Sequence, residues 1–231
     1  MKQIIKIKIK TKNYNIIVEN QSILHNLIRE SKLGEKIFII IDNKVKYLIA
    51  DLPKKKNINI IKTNSGEKIK SINYFAEISL KLLKLKIDRS STIIAIGGGT
   101  IGDLTGFIAS TILRGVKFIL IPTTLLAQVD SSIGGKNGIN TSFGTNLIGT
   151  FFQPNLVIVD PSALSTLSKR EVRSGYSEIL KHALIKDKIF YKWLNANCNQ
   201  VINLNSKFIT KAIVSSIKIK SFLFKAMKKK N

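Results

Sequence analysis

Cysteine is almost missing from this chain of 231 residues: Cys198 stands alone and no Cys-x-x-Cys occurs. That excludes an internal disulfide and points to a reducing compartment, read as cytoplasmic, with Cys198 as a small buried or half-buried thiol. Also lacking is any apolar run approaching the roughly 20 residues that a bilayer-spanning helix needs, so no membrane partner is expected. The opening "MKQIIKIKIK" has no signal-peptide pattern and alternates apolar with basic residues, as a strand does. Acidic residues are scarce, 14 against 38 Lys and Arg, which sets a formal charge of +24. Arginine is scarce too, at positions 29, 89, 114, 170 and 173 only. Nucleic-acid surfaces gather arginine and aromatics on one face. Here lysines are spread among isoleucine and asparagine, residues that share A/T-rich codons. The charge is therefore read as compositional drift, giving salt-sensitive sticking to polyanions but no specific nucleic-acid partner.

What remains is a chain that is 44% hydrophobic, enough for a sizeable core in one large domain or one domain and part of another. Strand-like runs recur at Gln3–Lys10, Lys36–Ile41, Ile58–Lys62, Thr92–Ile96, Lys117–Ile121 and Leu156–Val159. Helical periodicity lies between them, most clearly over Lys70–Lys86, where Ile72, Phe75, Ala76, Ser79, Leu82 and Leu83 form one stripe. Alternating strands and helices imply a largely parallel sheet with ligands at the C-terminal strand ends. From Lys169 onward only helical periodicity remains, around Glu171–Lys186, Lys188–Ala196 and Ser206–Phe224. The expected fold is thus α/β over 1–167, a parallel-sheet nucleotide-binding domain, followed over 168–231 by part of an all-helical domain. His25 falls in a further expected amphipathic helix and is given no role. No internal repeat is visible.

In "IIAIGGGTIGD" a strand runs into Gly97, Gly98 and Gly99 and then a helix, an arrangement that lets backbone approach a pyrophosphate. The Gly97, Gly99, Gly102 spacing fits G-x-G-x-x-G, a weak signal by itself. No acid lies between Leu104 and Val129 to hold a ribose, so that acid is sought in Asp42, at the end of "KIFIIID". Glycines serving only tight strand–helix packing remain the alternative. "SGEKIK" brings Glu67 and Lys70 to another strand end; Glu67 there either favours a helix dipole or binds a nucleoside hydroxyl. Thr123 and Thr124 follow Pro122 at a further strand end. "QVDSSIGGKNGIN" then reads as flexible polar backbone carrying Asp130 and Lys136. Glu178 and His182 have i, i+4 spacing, which suits a metal pair or a helix-surface contact.

"GGGTIGDLTGFIASTILRGVKFILIPTTLLAQVDSSIGGKNGIN" resembles the 3-dehydroquinate synthase family, and "GTFFQPNLVIVD" and "REVRSGYSEILKHALIKD" continue the likeness to about Lys220. The resemblance implies an NAD- and metal-dependent lyase that turns 3-deoxy-D-arabino-heptulosonate 7-phosphate into 3-dehydroquinate and phosphate, with Zn²⁺ or Co²⁺ as the metal. It implies that Asp130 binds a sugar hydroxyl, Lys136 and Asn146 meet the phosphate, and Lys181 binds substrate. Arg114 would reach the site of a neighbouring subunit in a homodimer. Glu178 would be the metal-binding carboxylate. The NAD side would be Asp42, Glu67, Lys70, Gly98, Gly99, Asp103, Thr123 and Thr124, with Lys136 and the 163–166 turn, including Thr166, close by. His182 matches no metal ligand of the family, so its spacing is taken as accidental.

The likeness breaks at two places. "SFGTN" puts Thr145 where the family has a lysine, and the family's two later histidine ligands do not occur among these residues. Glu178 is thus expected to be a lone ligand, and turnover by these residues is expected to be absent. A truncated remnant that at most binds NAD, with its reading frame shifted near Phe222–Lys225, and a related sugar-phosphate cyclase are the alternatives. Phe208, Ile213, Ile217 and Phe224 are expected to leave an apolar face uncovered.

Overall fold

Isoleucine and valine crowd the strands because both faces of the sheet are covered, as parallel sheets require. The computed structural model describes residues 2–9, 12–21, 35–52, 56–64 and 66–227. The helix expected around His25, Ser65 and the last four residues lie outside the described residues. The strands are β1 (Gln3–Lys8), β2 (Asn13–Val18), β3 (Ile37–Asp42), β4 (Ile58–Thr63), β5 (Thr92–Gly97), β6 (Lys117–Pro122), β7 (Lys136–Thr141), β8 (Gly144–Phe151) and β9 (Leu156–Val159). The helices are α1 (Ile72–Lys84), α2 (Gly99–Thr111), α3 (Lys169–Lys186), α4 (Lys188–Ile202) and α5 (Ser206–Met227). Seven strands form one sheet in the order β1-β2-β9-β6-β5-β3-β4, and every neighbouring pair but β1–β2 is parallel.

The order fixes where a ligand can sit. From β3 the chain moves outward to β4, then returns to place β5 on the other side of β3. The connections therefore diverge between β3 and β5, which opens a crevice above the C-terminal ends of those two strands. Alternate residues feed two cores. Phe38, Ile40, Ile93, Ala95, Phe118 and Leu120 pack on the face shared with α2. Ile39, Ile41, Ile94, Ile96, Ile119 and Ile121 pack with Val45 and Ile49 of the 3-10 turn Asn43–Ile49 on the other.

After the turn Pro161–Thr166 the described chain is helical throughout. Ser168 caps α3 and Glu171 returns the bond to the Ser168 backbone, the capping box readable in "SKRE". Trp193 on α4 stacks between Phe190 and Phe208 with ring centroids 6.0 Å apart on each side. Val172, Ile179, Leu194, Ile213 and Ile217 join the same apolar cluster as the sheet's α2 face, so the core runs unbroken from sheet to helices.

Three expectations change here. The sequence reading omits β2, β7 and β8; "KNGINT" is strand β7, paired antiparallel with β8, and not flexible backbone. The polar, glycine-rich β7 and β8 carry little apolar signal, which is why they escape, whereas β2, with Tyr14, Ile16, Ile17 and Val18 buried, carries that signal and is overlooked. In α1 the buried face is centred on Ile78 and Leu82, with Phe75 against Phe107 at 4.8 Å, while Ile72 and Leu83 are exposed. The stripe as drawn is rotated away from Ile78. On α5, finally, Ile213, Ile217 and Phe224 are buried and Phe208 is half-buried against Trp193, because α3, α4 and the turns after β6 and β9 cover that face. No helix among the described residues is long and apolar enough to cross a membrane.

Candidate active site

The strand ends build the first half of the site. Gly97 closes β5, Gly98 is extended, and Gly99 begins α2, so the helix N-terminus and its free N–H groups open onto the crevice. A side chain on Gly98 would meet Thr124 Cγ2 at 3.0 Å, and one on Gly99 would meet Ser131 Oγ at 3.2 Å. The glycines thus let the turn lie against both the β6 end and the segment that carries Asp130. Asp42 ends β3 across the crevice; it is buried and accepts a bond from the Lys44 N–H at 3.0 Å. Thr123 donates its N–H to Gly97 O at 2.9 Å, and Thr124 Oγ1 accepts from Ala127 N at 3.2 Å. Gln128, fully buried, ties the strand ends together by donating to Pro122 O and Asp160 O.

Lys70 sits beside this crevice as a buried cation. Its Nζ donates to Asp103 Oδ2 at 2.7 Å and to Asn146 Oδ1 at 2.5 Å, with Glu67 Oε1 at 3.7 Å. Asn140 completes the knot: its N–H donates to Lys70 O, its amide to Glu67, and its carbonyl oxygen accepts from Asn146 N. The β7–β8 hairpin is held to the start of α2 in this way. Burial pushes the Asp103 carboxyl above the usual range, and the Lys70 ammonium opposes that push. Lys70→Met is therefore expected to cost about 2 kcal/mol by stranding the half-buried Asp103 charge. With the cation gone, the folded state holds the Asp103 proton more tightly than the unfolded chain does. Stability then falls as pH rises above the unfolded Asp value, so the deficit should be larger at neutral pH than at about pH 4. Urea midpoints at the two pH values measure it, and a deficit that shrinks toward neutrality would contradict this account.

The second half lies where α3 and α5 meet the sheet. Asp130 belongs to a wide turn of π-helix, Ala127–Ser131, a geometry that re-aims side chains and recurs at functional sites. Glu178 and His182 share one face of α3, and His182 is 1% exposed. His182 Nε2 lies 3.2 Å from Glu178 Oε1 and 3.8 Å from Asp130 Oδ1. Its Nδ1 lies 2.7 Å from Ser216 Oγ on α5. Lys220 pairs with Asp130, and the half-exposed Lys181 pairs with Glu178. Burial holds the imidazole below its usual value against the pull of Glu178 and Asp130.

The glycine turn, Asp42, Thr123 and Thr124 therefore gather at one crevice; Glu67, Lys70, Asp103 and Asn146 gather beside it; and Asp130, Glu178 and Lys181 form a third group. Asp130 and His182 stand close to Glu178, and the Glu178–His182 pair is not a surface contact, because the packing of α5 on α3 buries the imidazole. Asn146 stands with Lys70, not with Asp130. Lys136 is exposed at the start of β7, and Thr166 is exposed on the turn after β9. Arg114 is exposed between α2 and β6, at the opposite end of both from the glycine turn, so it does not meet the site of its own chain. It and Leu113 have positive φ, 66° and 51°, a strained corner for non-glycine residues. Ser216, Lys220 and Asn140 are absent from the sequence reading. Ser216 and Lys220 are i, i+4 on an otherwise apolar face of α5, and that break in the apolar pattern is the signal that marks them.

Family models of the 3-dehydroquinate synthase N-terminal and C-terminal domains match residues 60–174 and 175–229. The chain belongs to the 3-dehydroquinate synthase family. A 3-dehydroquinate synthase of Pelagibacter ubique is 45% identical over 98% of this chain, and one of Dictyoglomus turgidum is 42% identical over 94%. The chain spans 64% and 61% of the lengths of those two family members. Among solved structures, a 2-epi-5-epi-valiolone synthase from Streptomyces hygroscopicus with NAD⁺ and Zn²⁺ bound is 26% identical with a TM-score of 0.82, covering 92% of this chain and 61% of that one. A 2-deoxy-scyllo-inosose synthase complexed with carbaglucose-6-phosphate, NAD⁺ and Co²⁺ shares the fold at 24% identity and a TM-score of 0.83, covering 96% of this chain and 62% of that one.

Proposed function

We propose that this chain binds NAD between β3 and β5 and serves the family reaction, in which 3-deoxy-D-arabino-heptulosonate 7-phosphate becomes 3-dehydroquinate and phosphate. One observation carries the reading: the glycine turn at the topological switch abuts Ser131, next to Asp130, whose carboxylate joins Glu178 and His182. A cofactor at the turn and a polar substrate at the carboxylates would therefore be neighbours. Residues 1–167 would form the nucleotide unit and 168–231 would contribute helices to the substrate side.

Asp42 would accept from a ribose hydroxyl, while Gly98 and Gly99 admit the pyrophosphate to the α2 N-terminus. Thr123, Thr124, Glu67, Lys70, Asp103 and Thr166 would frame the rest of the cofactor, with Lys136 at its edge. NAD, when bound, supplies a hydride acceptor that returns the hydride within each turnover. Asp130 would accept from a sugar hydroxyl, Lys181 would bind substrate, and Lys136 and Asn146 would meet the phosphate. Arg114 would act on a partner subunit's site in a cytoplasmic homodimer. A divalent metal, Zn²⁺ or Co²⁺, would be held by Glu178, whose Oε1 lies within 4.8 Å of Asp130 Oδ1 and His182 Nε2. When bound it supplies Lewis acidity toward a substrate oxygen. A cyclase acting on another sugar phosphate shares the fold, but the relatives at over 40% identity favour the synthase.

Calorimetric titration tests the cofactor half. NAD is expected to bind one-to-one and NADP more weakly, since the Asp42 carboxylate repels a 2′-phosphate. Asp42→Asn keeps the turn cap and should weaken NAD about tenfold while narrowing the NAD/NADP gap. Equal heats for the two nucleotides with the wild-type chain would speak against this placement.

A further inference from the structure

We infer that Gln128 is a positioning residue for the nicotinamide half of the cofactor, which it serves by bracing the parted ends of β6 and β9. The inference rests on the reading above for the ligand and adds to it a fully buried side chain that acts through others.

The two ladders of β6 differ in length. β6 pairs with β5 along its whole run, from Lys117 opposite Thr92 to Pro122 opposite Gly97. With β9 it pairs only at Ile119–Leu156 and Leu120–Val157. Beyond those residues the two strands part, and backbone rungs no longer set the distance between their ends. The Gln128 amide takes over there. Its Nε2 donates to Pro122 O at 3.1 Å and to Asp160 O at 2.9 Å. Two carbonyl acceptors fix which end of the amide faces them, because only the NH2 end carries donors. The other end, Oε1, is buried and has no hydrogen-bond partner among the described residues. An apolar side chain of the same length would fill the space but leave both carbonyls unbraced.

Each braced carbonyl stands at the root of a segment of the site. Pro122 precedes Thr123 and Thr124. Asp160 opens the turn Pro161–Thr166, which its carboxylate caps by accepting from Ser162 N at 2.8 Å and Ser162 Oγ at 2.6 Å. Gln128 itself lies in the π turn that carries Asp130, two residues on. One side chain thus sets the spacing of three segments that the β6–β9 ladder does not reach. The strand order says which part of the ligand they meet. A dinucleotide with a ribose at Asp42 on β3 and its pyrophosphate at the turn after β5 continues, along the order β3-β5-β6-β9, to the ends of β6 and β9. The nicotinamide half then lies there, beside Asp130, whereas ADP stops short of it. Loosening the brace must therefore weaken NAD and spare ADP, a split that a general loss of stability does not produce.

The test compares NAD and ADP by calorimetry on residues 1–231, on Gln128→Met and on a control, Val201→Ala. Val201 is fully buried on α4, so truncating it loosens the fold away from the strand ends. Gln128→Met is expected to weaken NAD about tenfold and ADP by less than about twofold. Val201→Ala should lower the urea midpoint and keep the wild-type ratio of the two affinities. A folded Gln128→Met with the wild-type ratio overturns the inference, and so does an equal change of ratio in Val201→Ala; the NAD reading survives both. A wild-type chain that does not bind NAD brings down the two together. Should Gln128→Met not fold, judged by circular dichroism, NMR of the wild-type chain decides. The side-chain NH2 signals of Gln128 should shift with NAD and stay in place with ADP. No response to NAD, or the same response to ADP, overturns the inference.

Discussion

Valine at Gly175 is expected to destabilise the chain by at least about 3 kcal/mol, at the upper end of the range for overpacking a filled core. Gly175 lies on α3 where that helix crosses the segment after β6. A side chain there would place its Cβ 2.5 Å from Leu125 Cβ and 2.7 Å from Leu126 N. Backbone is part of the obstacle, so no rotamer change relieves it. The helix must lift, and Glu178 and His182, three and seven residues further along the same helix, lift with it. A lower urea midpoint with an unchanged slope is the expected signature, since compactness of the unfolded state is not altered. Gly175→Ala should fall between the two. A valine variant with the wild-type midpoint would mean that α3 does not press on this turn.

The second large effect is on ligand affinity and not on folding. Gly99→Val is expected to weaken NAD by more than about 100-fold, equivalent to about 2.7 kcal/mol. Its Cβ would meet only Ser131 Oγ, at 3.2 Å, which a small rotation relieves. The fold should therefore survive. The two methyl groups, however, would occupy the space through which a pyrophosphate reaches the first N–H groups of α2. Calorimetry against wild type measures the loss, and the loss should be the same at low and high salt, unlike the sticking of a cationic surface to polyanions. Equal affinities in the two proteins would remove the proposed site.

Features with a local cause were legible from the residues. The apolar runs of β3, β5, β6 and β9 and the strand–glycine–helix turn follow from neighbours within a few positions, and they appear where the sequence puts them. The site divides along the same line. The search for an acid at Asp42 starts from an absence, the lack of one between Leu104 and Val129, and the sheet order sets the end of β3 beside the end of β5. The Glu178–His182 spacing was legible on one helix, but its meeting with Asp130 was not, because that depends on α5 packing on α3 and on a π turn that no periodicity announces. Ile78 in α1 and the strands β7 and β8 were missed for a related reason: which side of a helix is buried, and whether polar backbone is paired, is decided by partners far along the chain.

The position of β9 in the sheet has a consequence during synthesis. β2 is joined to the remaining strands only through β9, with Asn15 opposite Leu156. At roughly 5–20 residues per second, the N-terminal hairpin emerges from the ribosome about 7–28 s before its partner strand. For that interval β2, with Ile16, Ile17 and Val18 still uncovered, presents an unpaired edge to the crowded surroundings. The lysines that alternate along β1, Lys6 and Lys8, sit on the hairpin during the wait. Charge of this kind opposes edge-to-edge pairing between nascent chains.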